Sequence, residues 1–495
     1  MSHGPTGALP IADTGVRARP AVQVAESLAA MGALAAATAE PQTVSDCIDE
    51  GNAHGDAGRF VEAVESYGKA LRLDPQSGPA WHNLGNLLLR LRDLDSAVSC
   101  YRNAVRLLPA EPQCAYSLGR ALNLTGCHRE ALEHLSRACA ADPSRSDAWI
   151  NLGNAHQFLG QHDDALRCFN CAEPLSAEPA EAQMNRAMIL LDQGDFSAGW
   201  SAYEARWQLP GFQKTVTRLA GKPRWQGESL RGKRILLHAE QGFGDMIQFA
   251  RFVPAVAALA SEVFLEVPAR LWALFAPLLP AGHVLARGGT LPPYDLHCPL
   301  MSLPLALGLE LDAIPNQPWL RVPAEQRQRA RHALAVATTG QKPRLRVGLC
   351  WRGNPDHQWD RVRSLRPAQL APLAGIPGVQ WVLLQQDARP DELAALAPIL
   401  APVFLRQQLD GFLATAGLIE ELDLVISVDT VTGHLTGSLG RPLWLALPAF
   451  YDWRWHSGRP DSPWYPSARL FRQSEPGNWA GVVERIAEKL TDLAR

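Results

Sequence analysis

Residues 85–109 read GNLLLRLRDLDSAVSCYRNAVRLLP, and this stretch sets the architecture of the first half of the chain. Its Gly85, Ala97, Tyr101, Ala104 and Pro109 belong to columns that return every 34 residues. The glycine column is Gly51, Gly85, Gly119 and Gly153. The two alanine columns are Ala63, Ala97, Ala131, Ala165 and Ala70, Ala104, Ala138, Ala172. A large slot holds Tyr67, Tyr101, Leu135 and Phe169, while Pro75, Pro109 and Pro143 close three copies and Trp81 and Trp149 open two. A fixed period of this length marks stacked repeats. Each copy is expected to be a pair of antiparallel helices that cannot bury its apolar face alone. Gly and Ala stand where helices cross closely, and the large slot is expected to fill the gap between neighbouring repeats. Pro stops the second helix, because it lacks an N–H and clashes with the preceding turn.

These columns resemble the tetratricopeptide repeat, with four good copies over 44–179. A degraded fifth copy has Ala187 in the glycine slot, Gly199 in the first alanine slot and Tyr203 in the large slot, and it carries the array to 207. Such a solenoid offers a concave groove that suits an extended peptide or a partner protein; the alternative is dimerisation or packing on the chain's own second half. Residues 1–43 are rich in Ala, Gly and Pro and are expected to be a flexible N-terminus, with 21–39 as a helix capping the solenoid.

The chain has 495 residues, which predicts about three domains. Its 47 basic and 50 acidic residues give a net charge of −3, which argues against nucleic acid as a partner. No apolar run reaches the ~18 residues of a membrane span, and the first residues lack a basic stretch followed by an apolar one. Nine cysteines, scattered and odd in number, do not form a disulfide framework. These features predict a soluble cytoplasmic protein.

After about residue 208 the period changes. Short apolar runs at 234–239, 262–267, 346–351, 380–385, 422–428 and 442–447 alternate with helical stretches. Continuous apolar runs of this length read as parallel strands buried on both faces. A Pro-rich, charged stretch at 313–343 separates two groups, which predicts two doubly wound lobes, 208–325 and 326–495. Ligands of such folds sit at the carboxyl ends of the strands.

Two strand-to-helix junctions carry candidate chemistry. In the first, HAEQGFGD at 238–245, Gly242 and Gly244 permit a tight turn and a close approach of backbone N–H groups to a ligand. Asp245 at the helix start is either an N-cap or a general base. In the second, SVDTVTGH at 427–434, small and hydroxylated residues open a helix, a fitting seat for phosphate, with Asp429 free to bind sugar hydroxyls. The alternative there is a capped helix with His434 half-buried on it. Between them, Trp351-Arg-Gly-Asn-Pro355 ends a strand in a turn, and Arg361 and Arg363 supply cations suited to phosphate or simply to solvent.

Together the repeat array, HAEQGFGD, LCWRGNPDHQWDRVRSL and VISVDTVTGHLTGSLGRP resemble bacterial tetratricopeptide-repeat glycosyltransferases. Their catalytic half is similar to the ADP-heptose:lipopolysaccharide heptosyltransferase family. The resemblance spans about 180–490, including the linker GWSAYEARW at 199–207 and the tail DWRWHSGRPDSPWYPSARLFRQ. It implies a GT-B fold of two Rossmann-like lobes with a cleft between them. It also implies transfer of a sugar from a nucleotide-diphosphate sugar to an acceptor hydroxyl. Asp245 is then the base that deprotonates the acceptor. Asp429, Thr430, Gly433 and His434 hold the donor, with Gly242, Gly244, Trp351, Gly353, Asn354 and Arg363 beside them. The family commonly places Lys near Arg363, and Ala or Ser at Gly433. His297 and Ser302, in YDLHCPLMSLP, are acceptor-side candidates, the alternative being a packed strand end. The resemblance implies no metal and no resident cofactor, the nucleotide-diphosphate sugar being a co-substrate.

Other readings stay open. Cys168 and Cys171 lie in a repeat helix with no second pair, so they read as core or surface thiols rather than a zinc site. A dinucleotide-binding oxidoreductase would use Gly242, Gly244 and Glu266, but Ile247 occupies its third glycine position. A scaffold with a decayed transferase domain is the non-enzymatic alternative.

Overall fold

The computed structural model describes residues 43–212, 218–219, 221–338, 343–355 and 360–495. The expected flexible N-terminus and capping helix at 21–39 lie outside the described residues. The chain divides into two compact units, one ending at Arg186 and the other beginning at Ala187.

The first unit is a run of helical hairpins: α1 (Val44–Asp56) with α2 (Phe60–Leu73), α3 (Gly78–Arg90) with α4 (Leu94–Leu107), α5 (Pro112–Thr125) with α6 (His128–Ala141), and α7 (Ser146–Phe158) with α8 (His162–Ala172). The glycine column explains the hairpins. A Cβ on Gly85 would lie 2.7 Å from the Tyr101 ring, and one on Gly153 would lie 2.5 Å from Phe169. The large slot therefore fills each hairpin from within, not the gap between neighbouring repeats, which corrects the expectation. Both helices of a pair approach until the ring touches backbone, and only Gly leaves that space. The alanine columns are fully buried at all eight positions, as close crossings require. Trp81 and Trp149 fasten one hairpin to the previous proline turn, donating to the Pro75 and Pro143 carbonyls at 2.9 and 3.0 Å.

A further column lies at the hairpin turns. Gly58, Gly126, Gly160 and Gly194 have φ of 73°, 82°, 71° and 86°, and Arg92 holds the same slot at 63°. The left-handed conformation favours glycine at this turn, and Gly194 marks the fifth hairpin: α9 (Ala180–Gln193), which crosses the division between units, and α10 (Phe196–Tyr203).

The second unit is α/β. Its first sheet contains β1 (Arg234–His238), followed by α11 (Phe243–Phe249), β2 (Glu262–Val267), α12 (Ala269–Phe275), β3 (Val284–Ala286) and β4 (Leu296–Pro299). After α13 (Ala324–Ala337) come β5 (Leu345–Cys350), β6 (Val379–Leu383), α14 (Pro390–Leu400), α15 (Phe412–Glu420), β7 (Leu424–Val428), α16 (Val431–Ser438), β8 (Leu443–Leu447), β9 (Ala468–Arg472) and α17 (Ala480–Ala494). The sheet orders are β3-β2-β1-β4 and β6-β5-β7-β8-β9, parallel throughout. The six apolar runs in the sequence correspond to β1, β2, β5, β6, β7 and β8 within two residues at either end. The edge strands β3 and β4 are short, and β9 alternates apolar residues with arginines, so none of the three stood out as a continuous apolar run. Among the described residues, no helix is long and apolar enough to cross a membrane.

Candidate active site

The two junctions meet. In the first, β1 ends at His238 and the chain turns at Gly242 into α11. The Gly242 N–H donates to Asp245 Oδ2 at 2.9 Å, which caps the helix. The other oxygen, Oδ1, lies 2.7 Å from Nη2 of Arg454, a buried residue of the C-terminal tail. In the second, β7 leads through Asp429 and Thr430 into α16. The contact between them is tight: a Cβ on Gly244 would stand 2.7 Å from His434 Cδ2. Gly244 thus lets the first turn of α11 lie against α16.

Charge is concentrated here. Arg454 Nη1 lies 2.7 Å from Asp452 Oδ1, so one guanidinium holds carboxylates from both lobes. Burial lifts the Asp245 carboxyl above its ordinary range against the opposing charge of Arg454. Burial and the negative charge of Asp452 push Asp429 up to about 6. Asp452 is also opposed by burial, but Arg454's charge and hydrogen bonds outweigh it and its pKa is lowered. His434, 3.9 Å from Asp429 Oδ1, is driven down to about 3 by burial and the nearby arginines, so its imidazole is neutral. Its Nδ1 shares a 2.9 Å hydrogen bond with the Tyr465 hydroxyl, and its ring stacks on Trp455 at 5.3 Å.

Arg363 belongs to the same field, since its positive charge opposes the raised pKa of both Asp245 and Asp429. Its guanidinium crosses Gly353, where a Cβ would be 2.6 Å from Nη2, and it is 3.6 Å from Asp360. The Gly353 N–H is held by the Ser364 hydroxyl, and Asn354 is exposed in the turn that follows. Residues 356–359 lie outside the described residues.

Several other candidates have partners within the fold. Trp351 is fully buried in the core of the second sheet with Leu365 and Leu383, so its side chain supports the fold and does not face a ligand. Ser302 is buried and hydrogen-bonded to Arg206 and Glu204, and His297 lies along β4 against His238; neither contacts the Asp245–Asp429 cluster. Thr430 turns its hydroxyl inward to Ser427 at 3.1 Å, and the Gly433 N–H is taken by the Thr430 carbonyl at 3.0 Å. Glu266, the ribose ligand of the oxidoreductase reading, is buried and gripped by both terminal nitrogens of Arg218. Sequence reasoning missed Asp452 and Arg454. The alternating Asp-Trp-Arg-Trp of the tail was the available signal: a carboxylate and a cation among aromatics that would bury them.

The repeats carry a second feature. A cleft of about 340 Å³ is lined by Asn52, Tyr67, Asn83, Asn86 and Arg90. Asn52 and Asn86 are one period apart, and each takes a hydrogen bond on Oδ1 from the tyrosine of its own hairpin, at 2.7 and 2.8 Å.

Fold and site together define a chain in which tetratricopeptide repeats lead into an α/β body with two parallel sheets. The tetratricopeptide-repeat family model matches residues 48–112, 82–146 and 150–209. Protein FlbA of Caulobacter vibrioides is 28% identical over 500 residues, covering 88% of this chain and 82% of that protein, so the similarity runs through both halves. Among solved structures, MamA is 20% identical with a TM-score of 0.31, covering 34% of this chain and 96% of its own. YrrB, described as a tetratricopeptide-repeat protein with an unusual peptide-binding site, is 19% identical with a TM-score of 0.32, covering 36% and 91%.

Proposed function

We propose that the chain is a glycosyltransferase of GT-B type, similar to the heptosyltransferases, acting on a protein or peptide presented by the repeats. The observation that carries this reading is the meeting of the two junctions, with Asp245 and Gly244 from one lobe against Arg454 and His434 from the other. Asp245 is the acceptor base: burial raises its proton affinity, while the charge of Arg454 favours its ionised form. The N-terminus of α16 and Arg363 face the departing nucleotide diphosphate and compensate its charge, and Asp429 binds donor hydroxyls. Neutral His434 orients the donor as a hydrogen-bonding group, not as a cation. Asn83 spends one amide N–H on Asn52, and the second N–H of its amide group is a donor suited to a peptide carbonyl. The reaction is assigned to the cytoplasm, where the surface thiols Cys127 and Cys171 stay reduced.

The non-catalytic scaffold is the second reading. It is favoured by one observation: both Asp245 oxygens are already engaged, one by Gly242 and one by Arg454. A thermal-shift series with UDP-, GDP-, ADP- and CMP-linked sugars separates the two. A transferase is stabilised by its donor by mass action, about 2.7 kcal/mol at a hundredfold excess over Kd. A flat response to all four classes contradicts the transferase.

A further inference from the structure

Resting on that reading, we infer that Arg206, at the end of the fifth repeat, is a positioning residue for Asp245, and that the degraded repeat serves as a mount for the catalytic loop. Arg206 occupies the slot that in the four good copies is a buried alanine: Ala70, Ala104, Ala138 and Ala172. It has no exposed surface. Its Nε and Nη2 grip the two oxygens of Glu240 at 3.0 and 3.1 Å. Nη2 also donates to Ser302 at 2.7 Å, and Nη1 donates to Glu204 at 2.7 Å and to the Tyr203 carbonyl at 3.1 Å. All five guanidinium N–H donors have a partner, which only the arginine fork achieves.

The consequence runs along the loop. Glu240 is fixed by Arg206, and it also accepts from the Met301 N–H at 3.1 Å. Gln241 donates to the Tyr203 hydroxyl at 3.0 Å, and Gly242 donates to Asp245 at 2.9 Å. Three consecutive residues before α11 are thus pinned, two of them by the repeat's last turn. A buried ion pair is a costly way to stabilise a fold, since apolar residues of similar volume usually do as well or better. What the fork supplies is geometry, and catalytic groups displaced by about 1 Å lose about 10²-fold in rate.

The test uses the full chain with Arg206→Lys, which keeps the charge but loses the fork, and Arg206→Met/Glu240→Gln, which removes both charges and leaves none buried alone. Two readouts are taken: hydrogen–deuterium exchange of residues 239–246, and kcat and KM for hydrolysis of UDP-, GDP-, ADP- and CMP-linked sugars. Faster exchange confined to that loop, with kcat down about 10²-fold and KM within a few-fold, is the expected result. Unchanged exchange in both variants overturns the inference, as does faster exchange with unchanged kcat. A wild type that hydrolyses none of these donors, while both variants still loosen the loop, overturns the transferase reading and supports the hold of Arg206 on the loop.

Discussion

Tyr101 and Tyr203 stand in the same slot of the 34-residue frame, three periods apart, and serve different neighbours. The Tyr101 hydroxyl turns back to Asn86 on its own hairpin at 2.8 Å. The Tyr203 hydroxyl lies 3.0 Å from Gln241, in the loop that carries Asp245. The facing position changes with it, from Gly85 to Ala187, and the second alanine slot changes from Ala104 to Arg206. The Tyr203 ring lies edge-on to Trp453 at 6.3 Å and under the Arg206 guanidinium at 4.9 Å. Trp200 makes the same choice, meeting Phe249 at 5.7 Å and Trp453 at 5.2 Å. What looks like sequence decay is a change of partner: the departures fall where side chains meet the loop at 239–246 and the tryptophans at 453–464.

The largest effect is expected among the buried charges of the α/β body. Asp429→Asn should stabilise the protein at neutral and alkaline pH. A carboxyl lifted to about 6 holds its proton more tightly folded than unfolded, so its penalty is absent below pH ~4 and complete above pH ~7. The gain should approach about 3 kcal/mol at pH 8 and vanish near pH 4, read by denaturant unfolding across that range. A pH-independent difference would show that Asp429 does not titrate in this way. On the repeat side, Gly85→Ala should cost about 1–3 kcal/mol, because the new methyl meets the Tyr101 ring. A neutral or stabilising outcome, as helix propensity alone predicts, would remove the reason given for the glycine column.

A sharper contrast comes from the tyrosines. Tyr101→Phe should lose about 1 kcal/mol of stability and leave turnover alone. Tyr203→Phe should lower turnover and loosen the loop at 239–246 at a similar stability cost. Equal effects on both readouts would erase the distinction between the repeats. The smallest change is expected at Arg92, the non-glycine member of the turn column with φ of 63°. Arg92→Gly should raise stability by roughly 0.5–1 kcal/mol, the left-handed strain relieved less the extra freedom gained by the unfolded chain.

These contrasts also show how much was legible in the sequence. The helical hairpins were, because period and residue size are local and repeated: Gly51 and Gly153 announce the same contact with Tyr67 and Phe169. Six of the nine strands were, because parallel strands buried on both faces are continuously apolar. The short edge strand β3 was not, since three residues with one buried side chain leave no pattern. At the site, Asp245, Asp429 and His434 were legible as helix-start residues beside glycines. Arg454 was not, because nothing local says that residue 454 pairs with residue 245 across 209 positions of chain. Trp351 misled for the opposite reason: it stands at a strand end, where ligands bind, but its bulk sends it into the core.

On the proposed transferase reading, Asp245 does chemistry in this cluster beyond capping α11. The direct measurement is turnover of a nucleotide-linked sugar by the purified full chain and by Asp245→Asn, with unfolding followed alongside. The substitution keeps an oxygen for the Gly242 N–H, so the cap should persist, but its amide nitrogen then faces Arg454, whose charge Asp452 still balances; the fold should persist with a loss of about 1–3 kcal/mol. Turnover should fall by at least about 100-fold with donor affinity nearly unchanged, as loss of a general base requires. Near-wild-type turnover in the folded variant would contradict the account and leave Asp245 as the ion-paired cap of a helix.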